Sequence, residues 1–253
     1  MVRLLVAYDG TLFRGWARQR GPGVRTVEGV LVERLEDVLQ ETVRLSVAGR
    51  TDARVHARGQ VVSFVTGSRV TPGRVQKALN AAFSPEIVVR GASYERSSFD
   101  ARFFASGREY RYVIRTAAVA DPFSGRFEWH RPGPLSVTAM RLGARSLIGE
   151  HDFSSFCRLP GSGRSTVRRL KQASVRREGE LMVFRFRADS FLHQMVRAMV
   201  GTLVLVGDGH LAPEEIASLL AAKSRAGTGN LAPAWGLTLE RVIYGKRDRS
   251  PHL

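Results

Sequence analysis

A carboxylate set between two guanidiniums is the feature of this sequence with the most chemical potential. In Val43-Arg44-Leu45-Ser46-Val47-Ala48-Gly49-Arg50-Thr51-Asp52-Ala53-Arg54-Val55-His56, Asp52 lies two residues from Arg50 and two from Arg54. Opposite charge within reach favours the ionised carboxylate. Asp52 is therefore a poor general acid and a better nucleophile or base. The same run also fits a strand-end turn in which Asp52 bonds nearby backbone N–H groups. Leu45 and Val47 alternate with Arg44 and Ser46 as in a half-buried strand. Were the chain to stay extended, Arg50 and Asp52 would emerge on its polar face.

Arg197 is the second such feature. Phe191, Met195, Met199 and Leu203 flank it at helical spacing, and His193 lies four residues earlier on the same face. A buried guanidinium needs a carboxylate partner because its desolvation is costly. Asp52 is the partner this reading names; a helix edge from which Arg197 reaches water is the alternative. Aromatics are interleaved with arginines at Phe13–Arg18, at Phe99-Asp100-Ala101-Arg102-Phe103 and at Arg108–Tyr112. Such mixtures suit phosphate contact with base stacking, though core aromatics beside solvated charges read the same way. Pro160-Gly161-Ser162-Gly163-Arg164 opens a basic loop that lacks the Gly-Lys-Ser/Thr ending of a Walker loop. Cys157 stands alone, and His151 with Asp152 offers no metal-ligand spacing. No Rossmann fingerprint follows a strand, and there is no serine nucleophile elbow. The expectation is catalysis by side chains, with no cofactor and no metal.

The elements that must position these groups follow from periodicity and caps. Val2–Tyr8 reads as a strand, Thr26 caps a helix to about Gln40, Gly59–Thr66 is a strand, Thr71-Pro72 starts a second helix, and Ile87–Tyr94 is a strand. The first hundred residues thus read β-α-β-β-α-β, the split order of ferredoxin-like units. The second half repeats it: a strand over Glu109–Thr116, a helix from Ser136 to about Ile148, strands over Val167–Arg177 and Leu181–Ala188, a long helix over Ser190–Val206, a short helix opened by Pro213, and a strand over Leu237–Tyr244. No residue-level identity links the halves. The fold class is α+β, with domains at 1–104 and 105–253 and helices on one side of the sheet. Arg44, Ser46, Arg111, Arg115, Arg185 and Arg187 fall on the non-core parity, so the other face would be open and basic.

Composition narrows the partner. The chain of 253 residues carries a net charge of +16, and only four of its 39 basic residues are lysine. That imbalance points to a polyanion, and arginine offers both a fork for phosphate and a face for base stacking. One cysteine fits a reducing cytosol. The first residues turn polar too soon for a signal peptide, and no run approaches the roughly 18 apolar residues of a membrane span. The expectation is a soluble, cytoplasmic protein. No recognition-helix or zinc-finger pattern favours duplex DNA.

Ala48-Gly49-Arg50-Thr51-Asp52-Ala53-Arg54-Val55-His56-Ala57 resembles the catalytic motif of the tRNA pseudouridine(38–40) synthases, the TruA family. Tyr8-Asp9-Gly10-Thr11 with Gly15-Trp16-Ala17-Arg18-Gln19, Phe99–Phe103, Tyr110-Arg111-Tyr112, Gly149–Phe156 and Phe191–Arg197 resemble family segments in family order, covering nearly the whole chain. The resemblance implies two ferredoxin-like halves joined into one antiparallel sheet, the pseudouridine synthase fold. It implies isomerisation of uridine in the tRNA anticodon stem-loop by a homodimer without a cofactor. By the same resemblance Asp52 is the nucleophile, Tyr110 stacks near the target uracil and Arg197 pairs with Asp52. Arg50 fills the space that the extruded uridine leaves, and Phe99–Phe103 and Pro160–Arg164 touch tRNA. One departure is Arg54, where the family usually has glycine, which tolerates backbone angles an arginine resists. A rival class is a non-catalytic tRNA-binding or chaperone protein of the same fold.

Overall fold

The computed structural model describes residues 1–19, 21, 23–161 and 163–245. In chain order the elements are β1 (Val2–Tyr8), α1 (Val27–Leu39), β2 (Ser46–Val47), β3 (His56–Phe64), α2 (Pro72–Phe83), β4 (Ile87–Tyr94), β5 (Ala105–Arg115), β6 (Trp129–His130), α3 (Val137–Ser146), β7 (Gly149–Asp152), β8 (Val167–Glu178), β9 (Leu181–Ala188), α4 (Met195–Gly207), α5 (Glu215–Ala222) and β10 (Leu237–Tyr244). The class is α+β. The chain divides into two compact units, one of residues 1–106 with 239–253 and one of residues 107–238.

The helix starts obey local chemistry. Thr26, Thr71 and Ser136 each cap a helix by accepting a backbone N–H three residues on. Two expected elements are shorter. The strand expected from Val43 pairs only at Ser46↔Ser63 and Val47↔Val62, because the Val43 amide donates instead to the Glu36 carboxylate of α1 at 3.1 Å. The helix expected from Ser190 starts at Met195. Gln194 before it is left-handed at φ 65°, and the His193 carbonyl accepts from Arg158 N–H at 3.0 Å. His193 therefore lies outside the helix and does not share a helical face with Arg197.

In the first unit the strands run β4-β1-β3-β10, and β1 is antiparallel to both β3 and β4. Leu4 and Val62 are register partners, as are Leu5 and Val61, so these pairs point to opposite faces. Both faces are covered. Leu5 and Val61 join Ala48, Phe99, Ala101, Phe104, Val242 and Tyr244 in one apolar cluster. The segment after β4 thus lies over the face expected to be open. Ser46, expected on a bare basic surface, donates to the Asp100 carboxylate at 2.9 Å.

In the second unit the order is β5-β9-β8-β7, with β6 parallel to β5. Tyr112 and Ile114 oppose Phe184 and Met182, and all four are buried with Met140, Met199 and Leu203 of α3 and α4. Arg111 and Arg185 oppose one another on the other face, and Glu109 lies 3.8 Å from Arg185. Arg115, expected among them, is instead drawn into a network with Glu128, Asp121 and Glu180 that ties down the 117–134 connection. A nearly buried guanidinium needs that compensation.

A strap over α4 fixes its place in this unit. A Cβ on Gly201 would lie 1.9 Å from the Asn230 carbonyl oxygen, and Gly229 N–H donates to Thr202 Oγ1 at 3.1 Å. Gly201→Ala should therefore destabilise the protein by about 1–3 kcal/mol or more through overpacking. That loss would outweigh the roughly 1 kcal/mol gained in helix propensity. Urea unfolding measures the difference, and an unchanged midpoint would refute the strap.

Candidate active site

Asp52 sits in the loop between β2 and β3, and that loop is a turn rather than extended chain. Val55 N–H donates to the Asp52 carbonyl oxygen at 3.2 Å, and Arg54 takes φ 65°. Strand parity therefore stops at Val47, and adjacent Val47 and Ala48 are both buried. Asp52 is half-buried, while Arg50 and Arg54 are exposed. The angle at Arg54 is one that glycine takes freely and other residues rarely, so the arginine adopts the backbone that a glycine would.

A second loop, from Asp9 to Trp16, grips this turn through the backbone. Trp16 N–H donates to the Thr51 carbonyl oxygen at 3.0 Å, and Arg54 N–H to the Phe13 carbonyl oxygen at 3.2 Å. A Cβ on Gly10 would lie 2.1 Å from the Val55 carbonyl oxygen. Gly15, at φ 95°, has no room for one either, with Thr51 O at 2.9 Å and Ala53 N at 3.0 Å. The gripping loop is itself fixed. Asp9 accepts from Thr11 N–H at 3.0 Å, and the first amides of α1, at Val27 and Glu28, donate to the Gly15 and Trp16 carbonyls.

His56 belongs to the same junction. Gly10 N–H donates to its Nδ1 at 2.9 Å. Asp9 Oδ1 lies 3.2 Å from the same nitrogen. Phe13 and Trp16 are buried, with the Tyr8 and Trp16 rings 6.0 Å apart. Their aromatic–arginine mixture packs the loop instead of offering a stacking surface.

Below the turn, three buried polar side chains meet. Gln60 Nε2 donates to the Gly49 carbonyl oxygen at 2.6 Å and approaches Tyr8 Oη at 3.5 Å. Tyr8 Oη lies 2.7 Å from Thr51 Oγ1. Burial pushes the Tyr8 phenol up to about 12, so it keeps its proton at neutral pH. Gly10, Gly15, Tyr8, His56, Gln60 and Thr51 thus frame Asp52. Spacing along the chain did not reveal these groups, although all but Gln60 fall in motifs quoted above.

The other expected residues are placed as follows. Tyr110 is buried on β5 opposite Phe186, edge-on to Phe191 with ring centroids 5.0 Å apart. Arg197, in the first turn of α4, is half-buried; its Nε donates to the Ala232 carbonyl oxygen at 2.8 Å, and Ala232 N–H returns a bond to the Arg197 carbonyl. The Phe99–Phe103 run splits in two. Phe99 and Ala101 are buried, whereas Phe103 is 78% exposed. Asp100 accepts from the amides of Arg102 and Phe103 at 2.8 and 2.9 Å, which holds that pair outward. Pro160 is half-buried, and Gly161, Gly163 and Arg164 are exposed; Ser162 lies outside the described residues. Gly149–Phe156 is a packing motif, with Phe153 and Phe156 buried. Among the described residues no three His, Cys, Asp or Glu side chains gather as a metal site requires, and no helix is long and apolar enough to cross a membrane.

The family described as "tRNA pseudouridine synthase" matches residues 4–103 and 144–245, a span that includes the whole Asp52 junction. A protein of Moorella thermoacetica named "tRNA pseudouridine synthase A" is 43% identical over 243 residues, covering 96% of this chain and 99% of its own. Proteins of the same name from Geobacillus kaustophilus and Halalkalibacterium halodurans are 44% and 41% identical, covering 96% and 98% of this chain and 94% and 95% of theirs.

The left-handed angle at Arg54 generates a prediction. Arg54→Gly should raise stability in urea, or leave it unchanged, by relieving about 1 kcal/mol of strain against the added freedom of the unfolded chain. Gly10→Ala should destabilise sharply. A clear loss in the first variant would show that what the Arg54 side chain contributes outweighs the strain of its backbone.

Proposed function

Because the chain belongs to the tRNA pseudouridine synthase family, isomerases that make pseudouridine in tRNA, we propose that it acts on uridines 38, 39 and 40 of the anticodon stem-loop with Asp52 as nucleophile. The match across both halves of the chain, including the Asp52 junction, carries the reading. The reaction breaks the N1–C1′ bond and makes a C5–C1′ bond. N1 gains a proton, C5 loses one, and no net redox change occurs. An ionised carboxylate can begin it by attack at C6, by attack at C1′, or by taking the C2′ proton. All three routes require a carboxylate held still beside the extruded ring.

The remaining roles rest on the family resemblance. Arg197 supplies the counter-charge to Asp52, and its side-chain bond to Ala232 steadies it for that purpose. Tyr110 stacks near the uracil. Arg50 fills the gap left by the extruded uridine, offsetting part of a cost of about a few kcal/mol. Arg102, Phe103 and the exposed residues between Pro160 and Arg164 touch the RNA backbone and bases. The protein works as a cytoplasmic homodimer. Arg54 keeps the turn geometry a glycine would give, so it lends no support to a non-catalytic RNA-binding role.

Tritium release from tRNA labelled at uridine C5 tests the assignment. Asp52→Asn should reduce release to background while tRNA affinity stays within about threefold; release near the wild-type rate would defeat it. Arg197→Met should slow release without abolishing binding. Mapping product in a tRNA with uridines both inside and outside the anticodon arm tests the position, and modification confined to another arm would overturn it.

A further inference from the structure

We propose that Tyr8 and Gln60 are positioning residues for the reaction, acting on Asp52 through the backbone on its N-terminal side. This rests on the reading of Asp52 as nucleophile. Gln60 is fully buried on β3, and its amide reaches across to the carbonyl of Gly49, three residues before Asp52, at 2.6 Å. Tyr8, buried at the end of β1, reaches the hydroxyl of Thr51, the residue immediately before Asp52, at 2.7 Å.

The direction of the Gln60 bonds follows from the donor. Gln60 Nε2 only donates, so Tyr8 Oη accepts over their 3.5 Å contact. That separation is near the limit for a hydrogen bond, and the two short bonds carry the restraint. Tyr8, protonated at neutral pH, shares its short bond with Thr51 Oγ1, in which either hydroxyl can donate. Thr51 is also held on its carbonyl side by Trp16 N–H at 3.0 Å. The residue preceding the carboxylate is therefore fixed through both its side chain and its backbone.

Apolar groups of the same shape would pack these positions equally well. Buried hydrogen bonds of this kind are demanding because a lost partner leaves an unsatisfied group. Their yield here is direction. A turn with one left-handed residue, at Arg54, has no strand ladder to hold it, and two side chains from neighbouring strands add to the backbone grip of the Asp9–Trp16 loop. A misplacement of the nucleophile of about 1 Å costs on the order of 100-fold in rate.

Tyr8→Phe and Gln60→Met each remove one bond while keeping the bulk. Both should lower the single-turnover rate of tritium release by about 10- to 100-fold, with the tRNA Kd within about twofold. Thr51→Val should lower the rate similarly and Thr51→Ser should rescue it. Tyr8→Phe combined with Thr51→Val should cost no more than either alone, since they break the same bond. Wild-type rates in both single variants would overturn the proposal. So would rate losses that merely follow the fraction unfolded in a melt run alongside, or additive losses in the double variant. Absence of tritium release from the wild-type protein would instead sink the proposed function, so the two failures are distinguishable.

Discussion

The first unit depends on a place where two backbones touch with nothing between them. The Asp9–Trp16 loop lies against the Gly49–Val55 turn so closely that neither Gly10 nor Gly15 has space for a methyl group. Amide-to-carbonyl bonds run in both directions across the contact, from Trp16 to Thr51 and from Arg54 to Phe13. A side-chain contact could rotate or slide; a reciprocal backbone contact fixes position and orientation together. Asp52 inherits that rigidity, and the start of α1 extends it by binding the carbonyls of Gly15 and Trp16.

The second unit uses the same device on α4. Gly201 admits the Asn230 carbonyl, and Arg197 exchanges bonds with Ala232 one turn away. Tyr112 extends the strap by donating to the Pro233 carbonyl oxygen at 2.8 Å. A guanidinium on the first turn of a largely apolar helix is thereby held by its Nε.

The surplus of arginine divides between two duties. Some arginines are structural. Arg115 gathers three carboxylates, and Arg3 lies 5.4 Å from the Tyr244 ring centroid while pairing with Glu95 at 3.4 Å. Others, such as Arg50, Arg54, Arg102 and Arg164, stand exposed on loops. Net charge counts both alike, so it indicates a polyanionic partner without saying which arginines meet it.

The sequence by itself determined the α+β class, the order of the main elements, the helix caps and the single carboxylate at the head of the Gly49–Val55 turn. Caps and periodicity act within a few residues, so they are legible without the fold. Only the tertiary structure decided that β10 joins the first unit from Leu239 on, that Phe13 and Trp16 are buried, and that the Phe99–Phe104 segment covers a sheet face. It also decided that α4 begins at Met195 and that Tyr8 and Gln60 reach the turn. An alternating strand pattern shows that a residue has a buried side, not what buries it; an aromatic beside an arginine reads alike in a core and on an RNA-binding surface. Those outcomes depend on which distant segments meet, and contacts between residues as far apart as Tyr8 and Thr51 leave no mark in local spacing.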